Sequence, residues 1–116
     1  MHELSIAEGI LSTIEKQLGE VKPLIQVNLT IGSLAGISAD SLEFWLEEVA
    51  KQKGFGFPAI VIKKTNALAV CSTCATNYEL KSFYSACPKC ASFERTITSG
   101  HECTINTIEL EDAPNV

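Results

Sequence analysis

Two hydrophobic periods alternate along the chain. Ile10, Leu11, Ile14 and Leu18 recur at the spacing of one helix face, while Glu15, Lys16 and Glu20 lie mostly off it as a solvated surface. Ahead of them Ser5-Ile6-Ala7-Glu8 has the capping-box pattern, in which a hydroxyl and a carboxylate satisfy orphan backbone donors. Gly19 and Pro23 bracket the exit, so a first helix is predicted over 5–18. From Leu24 the period falls to two: Ile25, Val27, Leu29 and Ile31 alternate with Gln26, Asn28 and Thr30, as in a half-buried strand. Gly32 and Gly36 open a loop, and Ser38 or Asp40 can cap a second helix. Its stripe is Leu42, Trp45, Leu46 and Val49, which puts Trp45 in the core. Gly54-Phe55-Gly56-Phe57-Pro58 ends that helix, and 59–64 reads as a second strand.

Strand character resumes after the turn Thr98-Ser99-Gly100, where Thr104, Asn106 and Ile108 alternate with Cys103, Ile105 and Thr107. This strand is expected to return and pair with the first two. The predicted fold is α+β: a small three-stranded sheet with two helices on one face, plus an inserted rubredoxin-like or ribbon-like zinc module. Residues 1–66 and 98–116 then form one domain and 67–97 the other. A chain of 116 residues suits one ordinary domain, or a small one carrying a still smaller metal-supported module. No apolar run approaches the roughly 18 residues of a membrane span, so no membrane association is expected. No internal repeat or low-complexity segment is read, and the final residues 111–116 read as a frayed terminus.

The inserted segment carries the sharpest chemical signal. Cys71-Ser72-Thr73-Cys74 and Cys87-Pro88-Lys89-Cys90 are two Cys-x-x-Cys pairs with twelve residues between them. Each pair sets two thiolates on one turn, and the chain between can fold back to close a tetrahedron at Zn–S distances of about 2.3 Å. The separation is shorter than the roughly 15–20 residues of common zinc ribbons, but two knuckles joined by a hairpin fit it. Two disulfides are the competing assignment. They require export, and Met1-His2-Glu3-Leu4-Ser5 shows no basic region leading to an apolar run, so a reducing cytoplasmic setting is expected. Four thiolates fill a zinc sphere, which makes the predicted site structural and places functional chemistry elsewhere.

The formal net charge of −5 argues against a phosphate-backbone binder, and from Cys71 to Cys90 the only charges are Glu79, Lys81 and Lys89. No nucleic-acid partner is expected. His2 stands beside the α-amine and before Glu3. The amine titrates near 7.7–8.0 and imidazole near about 6.5, so both can present neutral nitrogen near neutral pH. With deprotonated amide nitrogens they can form a planar set that favours Ni(II) or Cu(II), although a terminal histidine is more commonly just solvated. On these residues alone both roles stay open.

Taken together, Met1-His2-Glu3-Leu4-Ser5-Ile6-Ala7, Ile31-Gly32 after a strand, Asp40-Ser41-Leu42-Glu43-Phe44, the spaced cysteine pairs and Ile108-Glu109 resemble the HypA family over nearly the whole chain. The resemblance implies a nickel metallochaperone, not an enzyme, that assists nickel insertion into [NiFe]-hydrogenase and, in some organisms, urease. Implied partners are a HypB-type GTPase, the hydrogenase large subunit and urease maturation factors; a monomer or weak homodimer is expected. It also implies transiently bound Ni(II) at Met1, His2 and Glu3, structural Zn(II) at Cys71, Cys74, Cys87 and Cys90, and an acidic position near the nickel at Asp40. Asp40 can equally serve as a helix cap. Where many members carry polar residues and Met, this chain has His101-Glu102-Cys103. His101 is expected to be solvated rather than an auxiliary ligand, and the unpaired Cys103 to be a small buried hydrophobe. The alternative is a zinc-ribbon nucleic-acid or transcription-associated module, which shares the cysteine pattern but not the acidic charge.

Overall fold

The computed structural model describes residues 2–82 and 84–111, without the side chain of His2. In chain order the elements are α1 (His2–Leu18), β1 (Leu24–Gly32), α2 (Ala39–Lys53), β2 (Ala59–Thr65), β3 (Ala67–Cys71), β4 (Asn77–Leu80), β5 (Arg95–Ser99) and β6 (Cys103–Leu110). They form two three-stranded sheets, ordered β2-β1-β6 and β4-β3-β5. The fold is α+β. Two compact units result, one of Met1–Thr30, Ile37–Lys63 and Thr104–Val116, the other of Ile31–Gly36 and Lys64–Cys103. No helix among the described residues is long and apolar enough to cross a membrane.

In the first unit α1 packs on α2. Ala7, Ile10, Leu11 and Ile14 are buried from α1, and Leu42, Leu46, Val49 and Ala50 from α2. From β1 Val27, Leu29 and Ile31 are buried as the alternation requires, but Ile25 is not: it is exposed, and Leu24, off that period, is buried in its place at the start of the strand. The predicted cap at Ser5 is wrong, because α1 already runs from His2 and Ser5 is an exposed residue inside it. The buried stripe extends back to Ala7, and acidic Glu3 is favourably placed in the first turn. Trp45 is also not core. The buried stripe of α2 continues through Ala50 instead, leaving Trp45 on its flank, edge-to-face with exposed Phe44 at 5.0 Å. Gly54, at φ 96°, ends α2 in the left-handed region and donates its amide to Ala50 O.

β6 pairs with β1 alone, on the side away from β2, so β1 is the central strand. The polar face of β1 is tied to β6 by Asn28 Nδ2 donating to Thr107 Oγ1 at 2.9 Å and Asn106 Nδ2 donating to Thr30 Oγ1 at 2.6 Å.

In the second unit β3 is central and antiparallel to both neighbours, with Ala69 opposite Tyr78 on β4 and opposite Ile97 on β5. Its core is Ala67, Ala69, Cys71, Tyr78, Leu80 and Cys87, with Leu34, Cys74 and Ile97 packed against it. Leu34 arrives from the β1–α2 connection, which is stitched into this unit by three backbone bonds. Gly32 N donates to Glu102 O at 2.8 Å, Ser33 N to Thr65 O at 2.9 Å, and Leu34 N to Gly100 O at 2.7 Å. Glu102 reinforces the crossing, its carboxylate accepting from Gly100 N at 2.6 Å and from Thr65 Oγ1 at 2.9 Å.

Candidate metal centres

The two cysteine pairs are built on the same backbone circuit used twice. Ala75 N donates to Cys71 O at 2.9 Å and Ala91 N to Cys87 O at 2.8 Å, closing one turn around each pair. Cys71 N then donates to Thr76 O and Cys87 N to Ser92 O, both at 2.9 Å. The turn needs a left-handed residue after its second cysteine, and alanine supplies it each time, at φ 63° for Ala75 and 64° for Ala91. The short repeat Cys-x-x-Cys-Ala-Thr/Ser, at 71–76 and 87–92, is a local signal that the sequence reading passed over.

The circuits bring four thiols together. Cys71, Cys74, Cys87 and Cys90 present sulfurs all within 4.8 Å of one another. Cys71 Sγ lies 3.5 Å from Cys90 Sγ, and Cys74 Sγ lies 3.6 Å from Cys87 Sγ. A zinc tetrahedron with about 2.3 Å bonds has edges near 3.8 Å, whereas a disulfide needs about 2.05 Å, so the spacing fits a metal and excludes bridges. All four are free cysteines.

Amide donors prepare these sulfurs for negative charge. Thr73 N and Cys74 N each point at Cys71 Sγ at 3.4 Å, and Lys89 N at Cys87 Sγ at 3.4 Å. The Cys74 amide, followed by that of Thr73, holds the Cys71 thiol below its ordinary range. The Thr76 hydroxyl, 3.1 Å from Cys74 Sγ, and then the Thr76 amide lower Cys74 to about 6. Cys90 goes the other way, to about 12. Its largest contact, the Ser92 amide, favours the thiolate, but the thiol of Cys71, burial, and the thiols of Cys74 and Cys87 together outweigh it. Thiols gathered this closely resist losing a second and further proton once one is ionised, until a cation shares the charge. The geometry and the soft donor set both fit structural zinc.

The N-terminal end is organised by α2. Ser38 is the N-cap, with φ −77° and ψ 116°, and its Oγ accepts from Ser41 N at 3.3 Å. Asp40 therefore does not cap; it sits exposed in the first turn of α2. Ser38 N in turn donates to Glu3 Oε2 at 3.0 Å. That bond, then Glu3's own amide, holds the Glu3 carboxyl below the usual range. The structure thus brings Glu3 to the turn that bears Asp40. Met1 and the side chain of His2 lie outside the described residues. His101 is exposed, as expected for a solvated side chain. Cys103 is exposed too, contrary to the expected burial, because it stands at the first position of β6, on a face that is not covered there; the partial cover it retains pushes its thiol pKa up.

A zinc sphere closed by four thiolates has no position left for water or substrate, so this centre holds the fold rather than transforming anything. The chain thus consists of one two-helix α+β unit and one unit carrying a four-thiol metal site, which makes it a small metal-binding protein. Residues 1–110 match the family described as hydrogenase/urease nickel incorporation, metallochaperone, hypA, and the chain belongs to that HypA family. It is 32% identical over 109 residues to hydrogenase maturation factor HypA of Francisella philomiragia subsp. philomiragia, covering 93% of this chain and 97% of that protein. With HypA of Azotobacter chroococcum mcd 1 the identity is 33% over 113 residues, covering 96% of this chain and all of the other. The fold matches the solution structure of the Ni metallochaperone HypA from Helicobacter pylori with a TM-score of 0.63 at 18% identity, over 93% and 96% of the two chains. Nickel is the cargo of this family and zinc its structural ion. The zinc-ribbon nucleic-acid reading is not favoured.

Proposed function

We propose that the chain carries one Ni(II) at its N-terminal end for insertion during [NiFe]-hydrogenase maturation, and for urease where that enzyme is the client. The donors are the Met1 amine, the His2 imidazole and amide nitrogens at residues 2 and 3, with Asp40 beside them. Cys71, Cys74, Cys87 and Cys90 hold Zn(II). The chain works in the cytoplasm with a HypB-type GTPase and the hydrogenase large subunit, and it catalyses no reaction itself. The observation that supports this reading is the Glu3–Ser38 bond, which brings Glu3, third residue of a nickel-incorporation family member, to the turn bearing Asp40. Exposed donors at a chain end suit transfer, since a carrier must release its ion to a client. Affinity falls with pH through the imidazole and amine range, because protons compete for the same lone pairs.

Calorimetric nickel titration of the zinc-loaded, tag-free protein and of His2→Ala tests it. The wild type should bind one nickel per chain and the variant at least about tenfold more weakly, the loss expected of a removed donor. Equal affinity in the two proteins overturns the assignment.

A further inference from the structure

In a capping box the N-cap hydroxyl accepts from the amide three residues on, and a Glu or Gln at that third position reaches back to the N-cap amide. At α2 the first half is present: Ser38 Oγ accepts from Ser41 N. The second half is missing from the local sequence, since the third position is Ser41 itself, too short to return. Its place is taken by Glu3, thirty-five residues earlier, whose carboxylate accepts the Ser38 amide at 3.0 Å. The box is complete, but one of its two acceptors belongs to α1.

We propose that the Glu3 carboxylate is a positioning group and not a nickel donor: it completes the α2 capping box from α1 and so pins the N-terminal turn beside Asp40. The proposal rests on the nickel reading above and divides the labour within Met1-His2-Glu3. Glu3 contributes to the metal only through its backbone. Its side chain stays on α2 in both the free and the loaded protein. A carboxylate that left for the metal would give up a charge-assisted bond to the Ser38 N–H, a donor with no intrahelical acceptor, and leave that exposed amide to water. Asp40, two residues past Ser38 and exposed, is the carboxylate of this turn left facing outward.

Glutamine and alanine at position 3 separate the two roles. The amide oxygen of Gln still accepts from Ser38 N–H but is a poor nickel donor, whereas Ala does neither. Nickel titrations of tag-free Glu3→Gln should stay within about threefold of wild type, and Glu3→Ala should weaken binding about five- to tenfold, as expected for loss of one cap. Amide hydrogen exchange at Ser38 provides a second readout. It should be slow in wild type with and without nickel, slow in Glu3→Gln, and faster in metal-free Glu3→Ala. Glu3→Gln binding as poorly as Glu3→Ala, or Ser38 losing protection when nickel is added to wild type, overturns the proposal. Failure of the nickel reading is seen separately, as His2→Ala binding nickel like wild type, and leaves the metal-free exchange test of the contact intact.

Discussion

Replacing Gly32 by alanine should destabilise the zinc-bearing unit, and the size of the effect follows from the crossing at Gly100. A Cβ on Gly32 would stand 2.2 Å from Gly100 O, 2.4 Å from Gly100 C and 2.9 Å from Gly100 Cα. Ordinary contact begins near 3.4 Å, so the backbones must part by more than an ångström. Gly100 cannot simply retreat. Its own hydrogen face lies against Ala67, where an added carbon would meet Ala67 Cβ at 2.6 Å. The overlap costs about 1–3 kcal/mol by analogy with overpacked cores. Separation also strains the bonds from Gly32 N to Glu102 O and from Leu34 N to Gly100 O, each worth about 1 kcal/mol. A loss of about 2–4 kcal/mol is expected. Gly9→Ala is the control, because nothing lies within 4 Å of the new methyl on α1; it should gain about 0.5–1 kcal/mol from helix propensity. Urea titration of both variants with zinc bound, read as midpoint shifts at unchanged slope, measures the contrast. A Gly32→Ala loss below about 0.5 kcal/mol, or a shift of the same sign in both, refutes the steric argument.

Two further outcomes follow from the site and its supports. Ala75→Gly and Ala91→Gly should each stabilise the zinc unit by about 0.5–1 kcal/mol, since glycine relieves the left-handed strain by more than it adds chain entropy; a lower thermal midpoint in zinc-saturated buffer would contradict this. The Glu102 carboxyl is held low by the Gly100 amide, then its own amide, then the Thr65 hydroxyl. Its stabilising share is therefore present above the ordinary glutamate pKa and lost as pH falls through the lowered folded value. Glu102→Gln should be less stable than wild type at pH 7, with the gap narrowing as the pH drops below about 4.5. A gap that holds constant in zinc-saturated buffer sinks the assignment.

Local patterns were legible wherever the cause was local. The period of β1 from Val27 to Ile31, the stripe of α2 through Leu42, Leu46 and Val49, and each Cys-x-x-Cys pair span only a few neighbouring residues, and the structure keeps them, whereas Ile25 at the start of β1 is left exposed. Trp45 was misread because a stripe has two flanks, and only tertiary packing decides which is covered. Cys103 was misread for a related reason: alternation announces a strand but does not say that anything lies over its face. Ser5 and Ser38 are the instructive pair. Ser5 has a glutamate three residues on and caps nothing, whereas Ser38 lacks one and is capped from thirty-five residues away. Likewise Gly32 and Gly100 each read as a loop residue, and only their meeting explains why neither has room for a side chain.

The four-thiolate centre also changes the charge that the chain presents to its surroundings. The formal value of −5 counts every cysteine as neutral. Four thiolates around one dication carry two net negative charges, so the zinc-loaded chain stands at −7. Loss of zinc with reprotonation of the thiols returns those two charges, and native electrophoresis or anion exchange reads metal content directly as mobility. The ion that holds the second unit together makes the whole molecule more anionic and more repellent to nucleic acid.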